Sequence, residues 1–140
     1  MLRGGASAVL PVCENGDIIL VRQYRHAVKE MMFEIPAGCF EGDESPYDCA
    51  ARELEEETGF KAGRLTLLTP MYPSAGFVKE IIYLYYAENL TPGIVHLDSD
   101  EFIEIIKTPL EKAVKMAFDG ELRDSKTLAA IFMYKALKGI

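Results

Sequence analysis

Short apolar blocks alternate with polar, turn-forming residues along the first half of the chain. Ala6 to Val12 is an apolar run, Asn15-Gly16-Asp17 punctuates it, and Ile18 to Val21 is apolar again. Two such runs around an Asn-Gly or Gly-Asp pair predict a β-hairpin. Arg22 to Glu30 is polar and reads as strand end plus loop, and Met32 to Ile35 reads as a short strand stopped by Pro36-Ala37-Gly38. Further strands are predicted at Arg64–Leu68, Ile81–Ala87 and Phe102–Ile106. Three helices fit the remaining pattern. The first opens on Ser45-Pro46-Tyr47-Asp48, with a capping hydroxyl, a proline at the first helical position and an acid where a capping box wants one, and it ends at Gly59. The second opens on Thr108-Pro109-Leu110-Glu111 by the same logic and closes at Gly120. The third runs from about Ser125 to Lys138, with Leu128, Ile131 and Phe132 at core spacing. Strands outnumber helices and do not alternate regularly with them. The expectation is an α/β fold in which helices cover a mixed sheet, not a doubly wound parallel one.

The first helix carries an unusual load of acid in Arg52-Glu53-Leu54-Glu55-Glu56-Glu57. With Glu53 at zero on a helical wheel, Glu56 lies near −60° and Glu57 near +40°, at about 100° per residue. The three carboxylates form one patch. Tyr47, Ala51, Leu54 and Thr58 cluster at about 100–160° and are expected to be the buried stripe. Cys49 and Ala50 flank the patch with small side chains, and Arg52 lies to one side of it. Like charges at i,i+4 cost a few tenths of a kcal/mol, roughly, in an exposed helix. Glu41, Asp43 and Glu44 stand nearby in sequence and add to the repulsion. A hard divalent cation would turn that repulsion into binding, because Mg²⁺ takes carboxylates together with waters and phosphate oxygens. The alternative reading of such a patch is a solvated helix face.

Composition narrows the classes. A length of 140 residues suits one domain, 1–140. The net charge of −7 argues against a nucleic-acid-coating protein, yet it leaves room for a phosphate-bearing ligand held through a metal. Three cysteines, Cys13, Cys39 and Cys49, show no CxxC pairing and read as reduced thiols in a cytoplasm. The opening Met1-Leu2-Arg3-Gly4-Gly5 has no apolar stretch of signal-peptide length, and no apolar run approaches the roughly 18 residues of a membrane span.

The full spacing decides between patch and cation site. It reads Gly38, five residues, Glu44, seven residues, Arg52-Glu53-Leu54, one residue, Glu56-Glu57, one residue, Gly59 and Phe60. This pattern resembles the Nudix box of the Nudix hydrolase family. Seven fixed residues at about 7% usage each match by chance on the order of once in 10⁸ starts. The resemblance implies a mixed sheet sandwiched between helices, with a loop–helix–loop carrying the box. It implies hydrolysis of a nucleoside diphosphate linked to another group, with Mg²⁺ or Mn²⁺ as cofactor. By position, Glu53, Glu56 and Glu57 would be metal ligands, with the backbone carbonyl of Ala37 joining them. Arg52 would orient a glutamate and Glu44 would support the loop. Gly38 and Gly59 would be structural, at turns that a Cβ would obstruct.

Segments outside the box bear on substrate. Arg22-Gln23-Tyr24-Arg25, Glu34-Ile35-Pro36-Ala37-Gly38, Ser74-Ala75-Gly76-Phe77 with Glu80, and Asp119 to Thr127 resemble the ADP-ribose and nucleoside-diphosphate-sugar pyrophosphatase branch. The resemblance makes Arg25 a phosphate contact, for which a guanidinium is suited. It makes Glu80, Gly76 and Phe77 substrate-binding candidates, and Glu101 the general base or an extra metal ligand, with Asp98 and Asp100 behind it. Glu56 and Arg52 complete the catalytic set. Two departures stand out: Ala75 occupies a position where the branch has Pro, and only Met1 to Gly5 precede the first strand where relatives carry an extra stretch. His26 and His96 lack ligand spacing, and Cys49 reads as a small packing residue. The expected partners are a small nucleotide sugar and a second copy in a homodimer, with neither nucleic acid nor membrane. The alternatives are another Nudix substrate, such as an oxidised nucleoside triphosphate or a dinucleoside polyphosphate, or a binding module without catalysis.

Overall fold

The computed structural model describes residues 4–97 and 102–140. Its central sheet has the strand order β4-β1-β7-β6, built from β4 (Ala37–Cys39), β1 (Gly5–Pro11), β7 (Ile81–Glu88) and β6 (Arg64–Met71). β1 pairs parallel with β7 and antiparallel with β4, so the sheet is mixed. Every residue of β1 is buried, as a strand covered on both faces requires. Its two faces point to different layers. Ala6, Ala8 and Leu10 pack with Leu84, Ile131 and Tyr134 beneath α2 (Leu110–Asp119) and α3 (Ser125–Lys138). Val9 packs with Ala50, Leu54 and Tyr85 beneath α1 (Pro46–Thr58). The result is the expected α/β sandwich.

A second, antiparallel sheet has the order β3-β2-β9, from β3 (Glu30–Glu34), β2 (Ile18–Arg25) and β9 (Glu104–Thr108). The short strands β5 (Phe60–Lys61) and β8 (Thr91–Pro92) pair beyond the end of α1.

Several sequence expectations need correction. The turn at Asn15-Gly16-Asp17 exists, but β1 and β2 meet only at the bridge Val12–Ile18 and then diverge into different sheets. Both strands are buried enough to be interior strands, and each finds its partners elsewhere in the chain. β2 runs on to Arg25, and Pro36 does not end the extended chain: β4 follows at once. Thr108 does not cap α2. It closes β9, is buried, and its hydroxyl turns back to the carbonyl of Ile106, while Pro109 stands at the cap position without a side-chain bond. On α1, Tyr47 is exposed while Cys49 and Ala50 are fully buried. The inward face is therefore rotated from the expected stripe toward the acidic side, and it takes Glu57 with it. Small residues let the helix lie close on β1, which a tyrosine at the contact would prevent.

Candidate active site

α1 is placed by local chemistry at both ends. The Ser45 hydroxyl accepts from the Asp48 amide at 3.0 Å, and Gly59 adopts a left-handed φ of 78° while its amide bonds Glu55 O at 2.8 Å. The Ser7 hydroxyl of β1 donates to Pro46 O at 2.8 Å and pins the first turn to the sheet. This fixes the azimuth of α1, and with it the direction of the glutamates.

Arg52 is the hub of the acidic cluster. Its Nε and Nη2 bond both oxygens of Glu44 at 2.7 and 2.9 Å, a bidentate pair. Nη1 reaches Glu53 Oε2 at 2.8 Å and Glu56 Oε1 at 3.2 Å, and Nη2 reaches the Cys39 carbonyl at 3.1 Å. Glu41 adds an ion pair at 3.3 Å. The Glu44 hydrogen bonds, supported by the Glu53 charge, hold Arg52 protonated well above the ordinary arginine range despite its burial. In return Arg52 holds the Glu44 carboxyl below the usual carboxylate range. Glu44 also accepts from the Glu41 amide at 3.0 Å, which closes the loop leading into α1.

Glu53 behaves differently. Burial pushes its pKa up, and the Arg52 guanidinium only partly opposes that. Its carboxylate hydrogen-bonds with that of Glu57, itself buried. Two carboxylates this close want either a shared proton or a cation between them. Gly38 makes the arrangement possible: a Cβ there would overlap the Glu53 carboxylate. Gly38 lies in β4, not in a turn, so its requirement is close approach rather than an unusual φ. Cys49 packs behind it, its thiol donating to Gly38 O at 3.3 Å, and burial pushes that thiol up to about 11. It is a packing group and a poor nucleophile.

The donor set suits a hard cation. Arg52 engages one oxygen each of Glu53 and Glu56, so neither carboxylate is fully taken up by it. Among the described residues no three acidic, histidine or cysteine side chains already converge as a cage. Mg²⁺ does not need one, since waters and substrate phosphates complete its shell. Ala37 pairs with Ala8 in β4, one residue from the Glu53 contact. His26 and His96 are exposed.

A second polar network adjoins this one. Arg25 bonds Glu34 through Nε at 2.6 Å and Nη2 at 2.7 Å, and Lys126 Nζ reaches the same carboxylate at 3.0 Å. Burial pushes Glu34 up, but the Arg25 hydrogen bond and the Lys126 charge outweigh it, and the net shift is downward. Glu34, the residue Arg25 binds, ends β3 just before the segment that leads through β4 into the box. Asp124 caps α3 and accepts from Thr127 Oγ1 at 2.6 Å; Thr127 in turn accepts from the Ile35 amide at 2.9 Å. The chain's last helix thus fixes the segment entering the box. The sequence reading assigned no role to Glu34, Glu41, Asp124 or Lys126. The one local signal was a lysine in the first turn of α3, where the helix dipole disfavours it.

Other candidates stand apart. Gly76 and Phe77 lie on an exposed turn closed by Ser74 O, next to a cavity of about 340 Å³ lined by Tyr72 and Val78. No described contact joins them, or Glu80, to the box carboxylates. Glu101, Asp98 and Asp100 lie outside the described residues. The cavity of about 620 Å³ between Cys13, Phe60, Lys107 and Lys138 holds none of the box glutamates. The box glutamates and the large cavity are therefore separate features.

A family model described as NUDIX domain matches residues 1–131. The ADP-ribose pyrophosphatase of Bacillus subtilis (strain 168) is 45% identical over 136 residues, covering 96% of this chain and 73% of that protein. The methanol dehydrogenase activator of Bacillus methanolicus is 39% identical, covering 91% and 70%, and the GDP-mannose pyrophosphatase of Yersinia enterocolitica serotype O:8 is 33% identical, covering 97% and 75%. A crystal structure of an ADP compounds hydrolase superposes with a TM-score of 0.88 at 26% identity, covering 96% of this chain and 73% of that one. The box spacing, the sandwich and these likenesses agree, and the chain belongs to the Nudix hydrolase family.

Proposed function

We propose that this protein hydrolyses the diphosphate of ADP-ribose or a related nucleoside diphosphate sugar, with Mg²⁺, or Mn²⁺, as cofactor. The observation that carries the reading is the partly buried carboxylate of Glu53 paired with the buried Glu57, beside Gly38 and Arg52. The names of the relatives at 45% and 33% identity support a sugar-nucleotide substrate.

Water breaks a phosphorus–oxygen bond of the diphosphate, giving AMP and ribose 5-phosphate from ADP-ribose. A divalent ion would be held by Glu53, Glu56, Glu57 and the Ala37 carbonyl, and would supply charge neutralisation of the phosphates and a more acidic water. Arg52 orients Glu53 and Glu56 through its Nη1 hydrogen bonds, while Glu44 keeps Arg52 in place. Arg25 takes a phosphate oxygen. Gly76, Phe77 and Glu80 line the substrate, and Glu101 serves as base or further ligand. We take the enzyme to be one Nudix domain, a cytoplasmic homodimer.

The test is a Mg²⁺-supported screen over ADP-ribose, GDP-mannose, dinucleoside polyphosphates and nucleoside triphosphates. Turnover confined to triphosphates would overturn the reading. Glu56→Gln and Glu57→Gln should keep their fold by circular dichroism and lose about 10²–10³-fold in kcat, since metal stabilisation of the transition state is worth several kcal/mol. Wild-type rates in these variants would refute the metal assignment.

A further inference from the structure

The buried carboxylate of Glu34 has two cations on it. Arg25 alone supplies a bidentate partner, at 2.6 and 2.7 Å, and would neutralise it. Lys126 nevertheless bonds Oε1, the oxygen that also accepts from Arg25 Nη2. This lysine stands in the first turn of α3, against the helix dipole, and its side chain is only 14% exposed. Ordering a long cationic side chain there is unfavourable unless the charge is used. Asp124 pairs with it at 3.1 Å, so the four groups Arg25, Lys126, Glu34 and Asp124 are neutral together.

Arg25 is the exposed member of the four. Its side chain is 45% exposed, against 3% for Glu34. Its Nη1 has no partner among the described residues, and the Glu34 it binds ends β3 just before the segment that leads into the box. If Arg25 were the sole partner of Glu34, turning it toward a phosphate would strand a buried carboxylate, which is strongly unfavourable. With Lys126 in place, Glu34 stays paired.

We propose that Lys126 is a positioning residue: it keeps Glu34 neutralised, so that Arg25 can offer its guanidinium to a substrate phosphate. This rests on the reading of the site as one that binds a nucleoside diphosphate sugar. Without Lys126, Arg25 would be claimed by Glu34 and the substrate would lose a phosphate contact.

The experiment is a double-mutant cycle on the full chain. Binding of ADP-ribose to EDTA-treated protein is measured by calorimetry, and KM and kcat with Mg²⁺, for wild type, Arg25→Ala, Lys126→Met and the double variant. Lys126→Gln and Lys126→Arg are run alongside, with melting curves for all. Arg25→Ala and Lys126→Met should each weaken binding by about 10-fold and raise KM more than they lower kcat, and the double variant should be no worse than Arg25→Ala alone. Lys126→Arg should restore most of the affinity, and Lys126→Gln, which keeps a hydrogen-bond donor without the charge, should not. Additive losses, or full affinity in Lys126→Gln, would overturn the inference. Should Lys126→Met fail to fold, Lys126→Gln takes its place in the cycle. Wild-type affinity and KM in Arg25→Ala would instead sink the phosphate role of Arg25, on which the inference depends. Absence of both ADP-ribose binding and turnover in wild type would overturn the ADP-ribose reading itself, and the inference with it.

Discussion

Gly38 has no side chain because Glu53 occupies the space. Gly38→Ala forces the carboxylate or β4 to shift, and overpacking of this kind costs about 1–3 kcal/mol. A lower urea midpoint together with weaker Mg²⁺ activation is expected; an unchanged midpoint would contradict the packing account. Glu34 gives the pH dependence. Its folded pKa is depressed, so its contribution to stability is present above the unfolded value of 4.5 and is lost as pH falls through the folded one. Glu34→Gln should therefore be less stable at pH 7 and lose less on acidification below pH 5. We expect a cost of about 2 kcal/mol at neutral pH, below that of a fully buried pair, because Arg25 is half solvated. Unfolding curves from pH 3 to 7 check the sign. Both residues stand in segments whose sequence had drawn notice, but neither contact has a local signature. Gly38 meets a side chain from a later helix, and Lys126 is 92 positions from its partner Glu34.

At the scale of elements, α1 was legible because its signals are local. Ser45, Pro46 and Gly59 mark its ends through the backbone groups that a helix terminus leaves unpaired. Ser45→Ala should cost about 1 kcal/mol, read as a shift in melting temperature. An effect on kcat as well would mean that the cap also tunes the direction of the glutamates. The azimuth of α1 was not legible. The helical wheel put Tyr47 in the buried stripe, whereas Ala50 packs against Val9 and Tyr85 and Cys49 beside it is fully buried. Small residues score poorly as hydrophobic anchors, yet they win where helix and sheet approach closely. The hairpin failed for a related reason. A turn motif specifies a reversal of the chain, but pairing depends on which other strands compete, and β7 and β4 claim both edges of β1.

For the whole molecule, a metal held by the acidic cluster would link its binding to folding. A ligand that binds only the native state at 100 times its Kd stabilises by about 2.7 kcal/mol. For a chain of this size that raises the melting temperature by roughly 5–10 °C. Scanning calorimetry with Mg²⁺ and with EDTA should show this difference in wild type, and Glu57→Gln should abolish most of it. Equal melting temperatures with and without Mg²⁺ would count against a metal site at these glutamates.

The sequence by itself determined the box, its helix and the crowding of its carboxylates. Those depend on residue types at fixed spacing within 23 consecutive positions, Gly38 to Phe60. It also determined the mixed α/β class, because apolar runs and caps report local periodicity. Only the tertiary structure decided that Glu53 lies against Gly38, and that Arg52 binds four acids. Only there do Arg25 and Lys126 share one buried carboxylate. The strength of such contacts depends on burial and on partners from distant segments, and neither is set until the sheet and its helices have packed.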